Sequence, residues 1–181
     1  LKINSEGVCE AWTYAEIKKT KDYSGREKIL LDKVDKYRKN NGEYDCIVSG
    51  SGGKDSMTVA HLLKYKYGMN PLTVTWQPVL YTDYGYKNYI NWIDNAGLDN
   101  YSVRPGGKAS KAVTRESILN LLHPFQTFIL GQKNLAPKIA AKLKIPLIFY
   151  GESEIEYGNP LAENSQSLRS KIYYVRNNKD K

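Results

Sequence analysis

The sequence predicts an α/β fold, Rossmann-like, in which a mostly parallel β-sheet carries helices on both faces. Two observations support this prediction. Short apolar segments alternate with longer segments of helical periodicity, and a glycine-rich turn joins the first strand-like segment to the helix after it. Because parallel strands need a crossover between them, usually a helix, this alternation favours a parallel sheet.

The first half of the chain supplies two β-α pairs. Residues 44–48 form a short apolar run typical of a buried parallel strand, and a helix is predicted over residues 55–67, ending at Gly68. Residues 72–76 are rich in strand-forming side chains, and residues 84–96 resume an amphipathic helical pattern. These pairs have the order that a parallel sheet requires.

The second half continues the alternation. We predict a third strand at residues 100–104 and a third helix at residues 109–122. Residues 125–130 indicate another strand or extended segment, residues 135–143 a helix, and residues 145–150 a final apolar strand. Ligands of such sheets bind beyond the carboxyl ends of the strands, so we expect four segments to converge on one site there: residues 49–56, 77–85, 131–134 and 151–158.

Length and polarity predict the domain organisation. The chain has 181 residues, enough for one sizeable core, and we expect the main domain over residues 24–158. Residues 1–23 carry mixed signals and are expected to be an N-terminal appendage, whereas residues 159–181 are polar. Because the first residue is Leu1, we expect a piece of a longer protein, with the polar end completed by further chain.

Net charge and hydropathy restrict the partners. The formal net charge is +8, from 27 Lys and Arg against 19 Asp and Glu, which favours anionic ligands. The basic residues are scattered along the chain, so they permit nucleic-acid binding without arguing for it, and we expect no such partner. No apolar run reaches the roughly 18–20 residues that span a bilayer, and no signal-peptide pattern is present, so we expect a cytoplasmic protein.

The turn after the first strand has the chemistry of a pyrophosphate-binding loop. Residues 50–56 read Gly-Ser-Gly-Gly-Lys-Asp-Ser. Glycines let backbone N–H groups approach an anion closely, and the following helix adds its positive end. The loop also offers two serine hydroxyls and one lysine ammonium to the phosphate oxygens, and one aspartate carboxylate to Mg²⁺. The residues concerned are Gly50, Ser51, Gly52, Gly53, Lys54, Asp55 and Ser56.

Two better-known phosphate loops do not fit these residues. A P-loop needs Gly-Lys-Ser/Thr four residues after its first glycine, which the Lys54-Asp55 pair breaks. A dinucleotide fingerprint needs Gly-x-Gly-x-x-Gly, but Asp55 stands at its last position. An ordinary glycine turn is the remaining alternative, and the agreement of strand, loop and helix argues against it.

The run Ser-Gly-Gly-Lys-Asp-Ser resembles the signature of the pyrophosphatase-loop ATPases, which share an adenine-nucleotide α-hydrolase-like fold. This resemblance implies that ATP is cleaved between its α and β phosphates and that AMP is transferred to a carbonyl oxygen of an acceptor. It further implies pyrophosphate binding by Ser51, Gly52, Gly53 and Ser56, with Asp55 as the Mg²⁺ ligand and Lys54 a weaker candidate.

Further blocks resemble one branch of that class, the N-acetyl sugar amidotransferases of bacterial surface-polysaccharide and nonulosonic-acid biosynthesis. The blocks lie at residues 4–16, 45–56, 67–72, 124–126 together with 131–132, and 145–158. The resemblance implies that the oxygen of a sugar N-acetyl group is adenylated and that ammonia converts acetamido to acetamidino. The chain shows no glutaminase nucleophile, so a separate glutaminase subunit is expected to supply ammonia.

Several candidates lie outside the loop. Gly131 and Gln132 are predicted where a strand meets a helix, so that their backbone or amide could contact the α-phosphate; a simple helix start is the alternative. Glu152 and Glu156 follow the last strand, where carboxylates near a triphosphate need a metal or an amine between them. We expect a catalytic role for Glu152 and substrate binding by Glu156 and Tyr157.

The N-terminal segment departs from the family pattern. Members often carry Cys-x-x-Cys there, suited to zinc, but in this chain Trp12 stands three residues after Cys9. We therefore expect no zinc in this chain and regard residues 1–23 as the remnant of a metal-binding segment. The other cysteine, Cys46, is expected to be a buried thiol.

Two alternative functions remain open. One is a tRNA-modifying ATPase of the same loop class, for which the +8 charge would bind phosphates, although the chain lacks a catalytic cysteine pair. The other is a non-catalytic module that binds an adenine nucleotide, because fold alone does not determine function.

Overall fold

Four strands pair in parallel in the computed structural model of this chain, which describes residues 3–152. Their order across the sheet is β3-β2-β1-β4, so the chain winds outward from β1 in one direction and returns to β1's other side for the last strand. The strands are β1 (Cys46–Ser49), β2 (Pro71–Trp76), β3 (Asn100–Val103) and β4 (Ile148–Tyr150).

Six α-helices lie within the described residues, and two of them end in a π-helical segment. The π-helical segments are Leu62–Lys66, after α3, and Asn91–Asn95, after α4. The α-helices are α1 (Glu10–Lys19), α2 (Arg26–Tyr37), α3 (Lys54–His61), α4 (Asp83–Ile90), α5 (Gly107–Leu121) and α6 (Gln126–Leu143).

The described residues belong to two compact units. Residues 3–31 and Glu152 fall in the first, and Asp32–Gly151 form the second. In the first unit, the Asn4 side chain accepts hydrogen bonds from the Glu6 and Val8 N–H groups at 3.0 and 2.9 Å, which closes a turn before α1. The sheet and the glycine-rich loop lie entirely in the second unit.

One face of the sheet packs against α6. The register aligns Ile47 of β1 with Leu72 of β2 and with Ile148 of β4, so apolar side chains meet across the strands. Helix α6 adds a stripe of buried small and branched residues at helical spacing, and the two sets form one apolar core. Its members are Ile47, Leu72, Val74, Leu135, Ala136, Ile139, Ala140 and Ile145.

The opposite face of β2 is polar but fully buried. Thr73 and Thr75 are 0% exposed, and the Asn100 side chain donates to both hydroxyls, at 2.8 and 3.0 Å. Trp92, in the π-helical segment after α4, donates from its ring nitrogen to the Thr75 hydroxyl at 3.2 Å. Helices therefore cover both faces of a parallel sheet, and the predicted fold class is confirmed.

The prediction of a strand or extended segment at residues 125–130 is wrong. These residues belong to the start of α6, which runs without interruption from Gln126 to Leu143. Run length and composition favoured a strand because Phe128, Ile129 and Leu130 form a short apolar run. The packing decides otherwise, because the buried stripe of α6 begins at Gly131 and continues at helical spacing to Leu135.

Candidate functional site

The glycine-rich loop lies where the sheet changes its direction of winding. It joins the carboxyl end of β1 to α3, and β1 has β2 on one side and β4 on the other. Chains that leave neighbouring parallel strands in opposite directions open a crevice at this edge, where ligands of such folds bind. The loop predicted from the sequence therefore occupies the binding edge of the sheet.

Gly52 has a conformation and a position that exclude any side chain. Its φ is +86°, in the left-handed region, and a Cβ there would lie 2.5 Å from the Asn88 carbonyl oxygen and 3.0 Å from the Tyr89 nitrogen. Both neighbours are backbone atoms of α4, which cannot move aside independently. The loop is thus pressed against α4 at this glycine.

Ser56 is held from two sides by glycines. A Cβ at Gly50 would lie 2.5 Å from the Ser56 Cβ, and one at Gly151 would lie 2.4 Å from the Ser56 nitrogen. Ser56 is 9% exposed, and its hydroxyl donates to the Gly53 carbonyl at 3.0 Å. In this geometry the hydroxyl holds the loop closed, in addition to being a candidate phosphate donor.

The start of α3 is open to an anion. Gly53 is the N-cap residue with φ −70° and ψ 150°, no side chain caps the helix, and a Cβ at Gly53 would meet nothing within 4 Å. The first N–H groups of a helix have no acceptor within it, and its dipole favours negative charge there. Backbone donors and open space therefore coincide at the loop.

Lys54 and Asp55 form a surface ion pair at the first turn of α3. The Lys54 ammonium lies 2.6 Å from Asp55 Oδ1, and the two side chains are 88% and 55% exposed. Such exposed pairs contribute little to stability, so both groups can be redirected by a ligand. A single exposed carboxylate suits Mg²⁺, which is bound by one or two carboxylates together with phosphates. Within residues 3–152 there is no cluster of three or more His, Cys, Asp or Glu side chains.

The site residues predicted outside the glycine-rich loop lie in α6 and after β4. Gly131 lies in the second turn of α6 and not at a strand end, and a Cβ there would be 2.0 Å from the Trp76 ring. Gln132 follows it, half-buried. Glu152 directly follows Gly151 and is exposed. Glu156 and Tyr157 lie outside the described residues.

The sequence predicted that residues 77–85, which include the loop before α4, would reach this edge, but it did not predict the side-chain network that this loop forms with α4 and β3. The Gln77 amide donates to the Tyr89 hydroxyl at 2.8 Å, and that hydroxyl bonds the Ser102 hydroxyl at 2.8 Å. The Tyr81 ring stacks at a tilt on Tyr89, with centroids 5.4 Å apart. A glutamine directly after a predicted strand was the only local signal of this network.

Burial sets the pKa values of two groups near the sheet. Burial raises the pKa of Tyr81 to about 12; the nearby Tyr89 adds to the rise, whereas the charge of Arg104 opposes it. Burial also raises the pKa of Cys46 to about 12, with the Asp45 carboxylate contributing. Cys46 is 0% exposed, so the buried thiol expected from the sequence is confirmed.

Comparisons with known proteins reveal partial similarities. No protein-family model matches the chain. Over 37 residues the chain is 51% identical to the "Uncharacterized protein MJ1599" of Methanocaldococcus jannaschii, which is 20% of this chain and 13% of that protein. The structure of the NMN synthetase from Francisella tularensis aligns with a TM-score of 0.44 and 18% identity, over 67% of this chain and 52% of that one. The chain thus spans about half, or less, of the length of each of these two proteins.

The helices have no membrane-spanning character. None of those within residues 3–152 combines the length and the apolar composition that a bilayer crossing requires. The longest of them, α6, has an exposed lysine in its last turn, Lys142.

Proposed function

We propose that this chain is an ATP-using enzyme of the pyrophosphatase-loop class that transfers AMP to a carbonyl oxygen. One observation carries the proposal: the loop at residues 50–56 joins β1 to α3 at the binding edge of a parallel sheet, with Gly52 pressed against α4. The uncapped start of α3 offers N–H donors to a pyrophosphate, and Asp55 offers a carboxylate to Mg²⁺.

The reaction proposed is a displacement at the α-phosphorus of ATP. The acceptor's carbonyl oxygen forms a bond to that phosphorus, the bond to the β-phosphate oxygen breaks, and pyrophosphate leaves with the electron pair. Donors at the loop stabilise the charge that develops on pyrophosphate, which is the usual way that preorganised N–H groups lower a barrier. Mg²⁺ bound through Asp55 would neutralise part of the same charge.

The finer proposal concerns the acceptor. The blocks that resemble the N-acetyl sugar amidotransferases favour a sugar acetamido group whose oxygen takes the AMP. Ammonia then adds to the activated carbon, AMP leaves, and the group becomes acetamidino. Among the residues described, Cys46 is buried with a pKa raised to about 12, which disfavours it as a glutaminase nucleophile. A separate subunit is therefore proposed as the ammonia source.

The decisive experiment measures which phosphate product appears. The chain is incubated with ATP, Mg²⁺, ammonium and N-acetylated sugars or sugar nucleotides, and products are separated by anion exchange. We expect AMP and pyrophosphate in equal amounts, with formation of AMP dependent on the sugar. ADP and orthophosphate would contradict the adenylation mechanism.

The same assay distinguishes the alternatives. If AMP formation required transfer RNA and did not depend on ammonium, the acceptor would be a nucleic acid and not a sugar. If the chain bound the nucleotide but showed no turnover, both with and without a co-purified glutaminase partner, it would be a non-catalytic binding module.

A further inference from the structure

Helix α5 begins at a second glycine pair. Gly106 is its N-cap residue, no side chain caps the helix, and the Ser110 N–H donates to the Gly106 carbonyl at 2.9 Å. The N–H groups of Gly107, Lys108 and Ala109 therefore have no acceptor within α5. A Cβ at Gly106 or Gly107 would meet nothing within 4 Å, so this helix start is sterically open.

The Ser110 hydroxyl is buried beside this helix start without a partner. Ser110 is 6% exposed, and its Oγ has no hydrogen-bond partner among the residues described. A helical Cα–Cβ bond tilts toward the N-terminus, so the side chain leans over the turn that begins at Gly106. Buried polar groups are paired in the great majority of cases, so this unpaired hydroxyl is a candidate hydrogen-bond donor to a ligand at the start of α5.

The chain path and the helix packing place the start of α5 at the binding edge of the sheet. The Thr114 and Thr127 hydroxyls lie 3.1 Å apart, which fixes the register of the antiparallel pair α5 and α6. One turn earlier on α5 is Ser110, and one turn later on α6 is Gly131. Gly131 packs against Trp76, the last residue of β2, and the chain leaves the carboxyl end of β3 and enters α5 after three residues, so α5 begins at the edge where the strands end.

Positive charge surrounds the same helix start. Arg104 directly follows β3, Lys108 lies in the first turn of α5 and Lys111 one turn later; all three are exposed. The ion pairs within residues 3–152 include none of the three. The charge of Arg104 also acts on the Tyr81 hydroxyl, the other buried hydroxyl without a partner in the described part of the chain.

We propose that the start of α5 binds a phosphate group of the acceptor, so that the acceptor is a phosphate or diphosphate ester. The inference rests on the proposed function, because it assigns the second substrate of the same enzyme. Strands lie about 4.8 Å apart, so the ends of β1 and β3 are separated by roughly 10 Å, with β2 between them. That separation leaves room for the reacting group between the two anion sites.

The test uses backbone NMR of the ¹⁵N-labelled chain, with the loop first saturated by α,β-methylene-ATP and Mg²⁺. Inorganic phosphate is then titrated, with N-acetylglucosamine as the uncharged comparison. We expect saturable shifts of the Gly107, Lys108 and Ala109 amides with phosphate only. Lys108→Glu should weaken this binding about tenfold and Ser110→Ala about threefold. Lys142→Glu, an equal charge change at the end of α6, is the control and should alter it less than twofold.

Two outcomes would overturn the inference. One is the absence of shifts at the start of α5, and the other is an equal loss from Lys108→Glu and Lys142→Glu, which would indicate only general ionic attraction. Failure of the proposed function has a separate signature: the amides of residues 53–56 would not respond to α,β-methylene-ATP, whatever phosphate does at α5.

Discussion

Gly151 lies against the backbone of Ser56 so closely that a Cβ would be 2.4 Å from the Ser56 nitrogen and 2.6 Å from the Asp55 carbonyl carbon. Gly151 directly follows β4, and Ser56 belongs to the first turn of α3. The contact joins two segments almost a hundred residues apart in the sequence. It fixes the end of β4 beside the loop that is proposed to bind pyrophosphate.

Gly151→Ala should therefore destabilise the fold and disturb the loop together. Because the neighbouring atoms are backbone, they can yield only if α3 shifts, and we expect a loss of about 1–3 kcal/mol in the free energy of unfolding. Urea denaturation followed by circular dichroism measures this loss. Gly106→Ala is the control, since a Cβ there meets nothing within 4 Å; equal losses in the two variants would contradict the steric explanation.

Gly52→Ala and Gly53→Ala form a matched pair within the loop. At Gly52 the φ of +86° and the α4 backbone both oppose a side chain, whereas Gly53 has φ −70° and open space. We expect Gly52→Ala to weaken ATP binding at least tenfold and Gly53→Ala to weaken it less than threefold, because only the first change displaces the N–H donors. Calorimetric titration with ATP and Mg²⁺ would show the difference. Similar affinities for the two variants would mean that the loop does not bind the nucleotide through its backbone.

Asp55→Asn tests the metal role of the exposed carboxylate. Removal of this charge should suppress AMP formation by about 100-fold and raise the Mg²⁺ concentration needed for half-maximal rate. Stability should change by less than about 1 kcal/mol, because the ion pair with Lys54 is exposed. Lys54→Ala, which breaks the same ion pair, is the comparison. If both variants lost turnover equally with unchanged Mg²⁺ dependence, Asp55 would not be the metal ligand.

Gly131→Ala separates packing from ligand binding in α6. A Cβ there would lie 2.0 Å from the Trp76 ring, so we expect a loss of about 1–3 kcal/mol in the free energy of unfolding and altered tryptophan fluorescence. Gln132→Ala should raise the KM for ATP, because it removes the amide proposed to contact the α-phosphate. A stable Gly131→Ala variant with normal fluorescence would contradict the packing described for Trp76.

Tyr81→Phe tests the cost of the buried hydroxyl. The folded pKa of Tyr81 is raised from its ordinary value of 10.0 to about 12, so the unfolded chain loses this proton first. The free energy of unfolding therefore does not depend on the ionisation of Tyr81 below pH 10, and it falls as the pH rises from 10 toward 12. Tyr81→Phe should match or exceed the parent's stability at pH 7 and lose less of it between pH 10 and 12. Identical alkaline unfolding of the two proteins would mean that the Tyr81 hydroxyl ionises normally in the fold. Cys46 titrates in the same direction in both proteins and does not affect the comparison.

Local patterns predicted most of the elements correctly, because strands and helices differ in the spacing of apolar residues. The run at residues 44–48 and the helix after the loop appear within a few residues of their predicted positions, as β1 and as α3 with its π-helical segment. Residues 125–130 were assigned to a strand because a short apolar run has no period of its own. In the fold they lead into a helix that packs against Trp76 through Gly131, and no local pattern contains this contact.

By itself, the sequence determined the α/β order of the chain and the loop at residues 50–56, because both depend on neighbouring residues. Only the tertiary structure brought Asn88 to Gly52 and Gly151 to Ser56, since these contacts join residues far apart in the chain, and only it left the Ser110 hydroxyl buried without a partner. Steric exclusion at a glycine and the lack of a partner for a buried hydroxyl are properties of the surroundings. They become visible only when the surroundings are known.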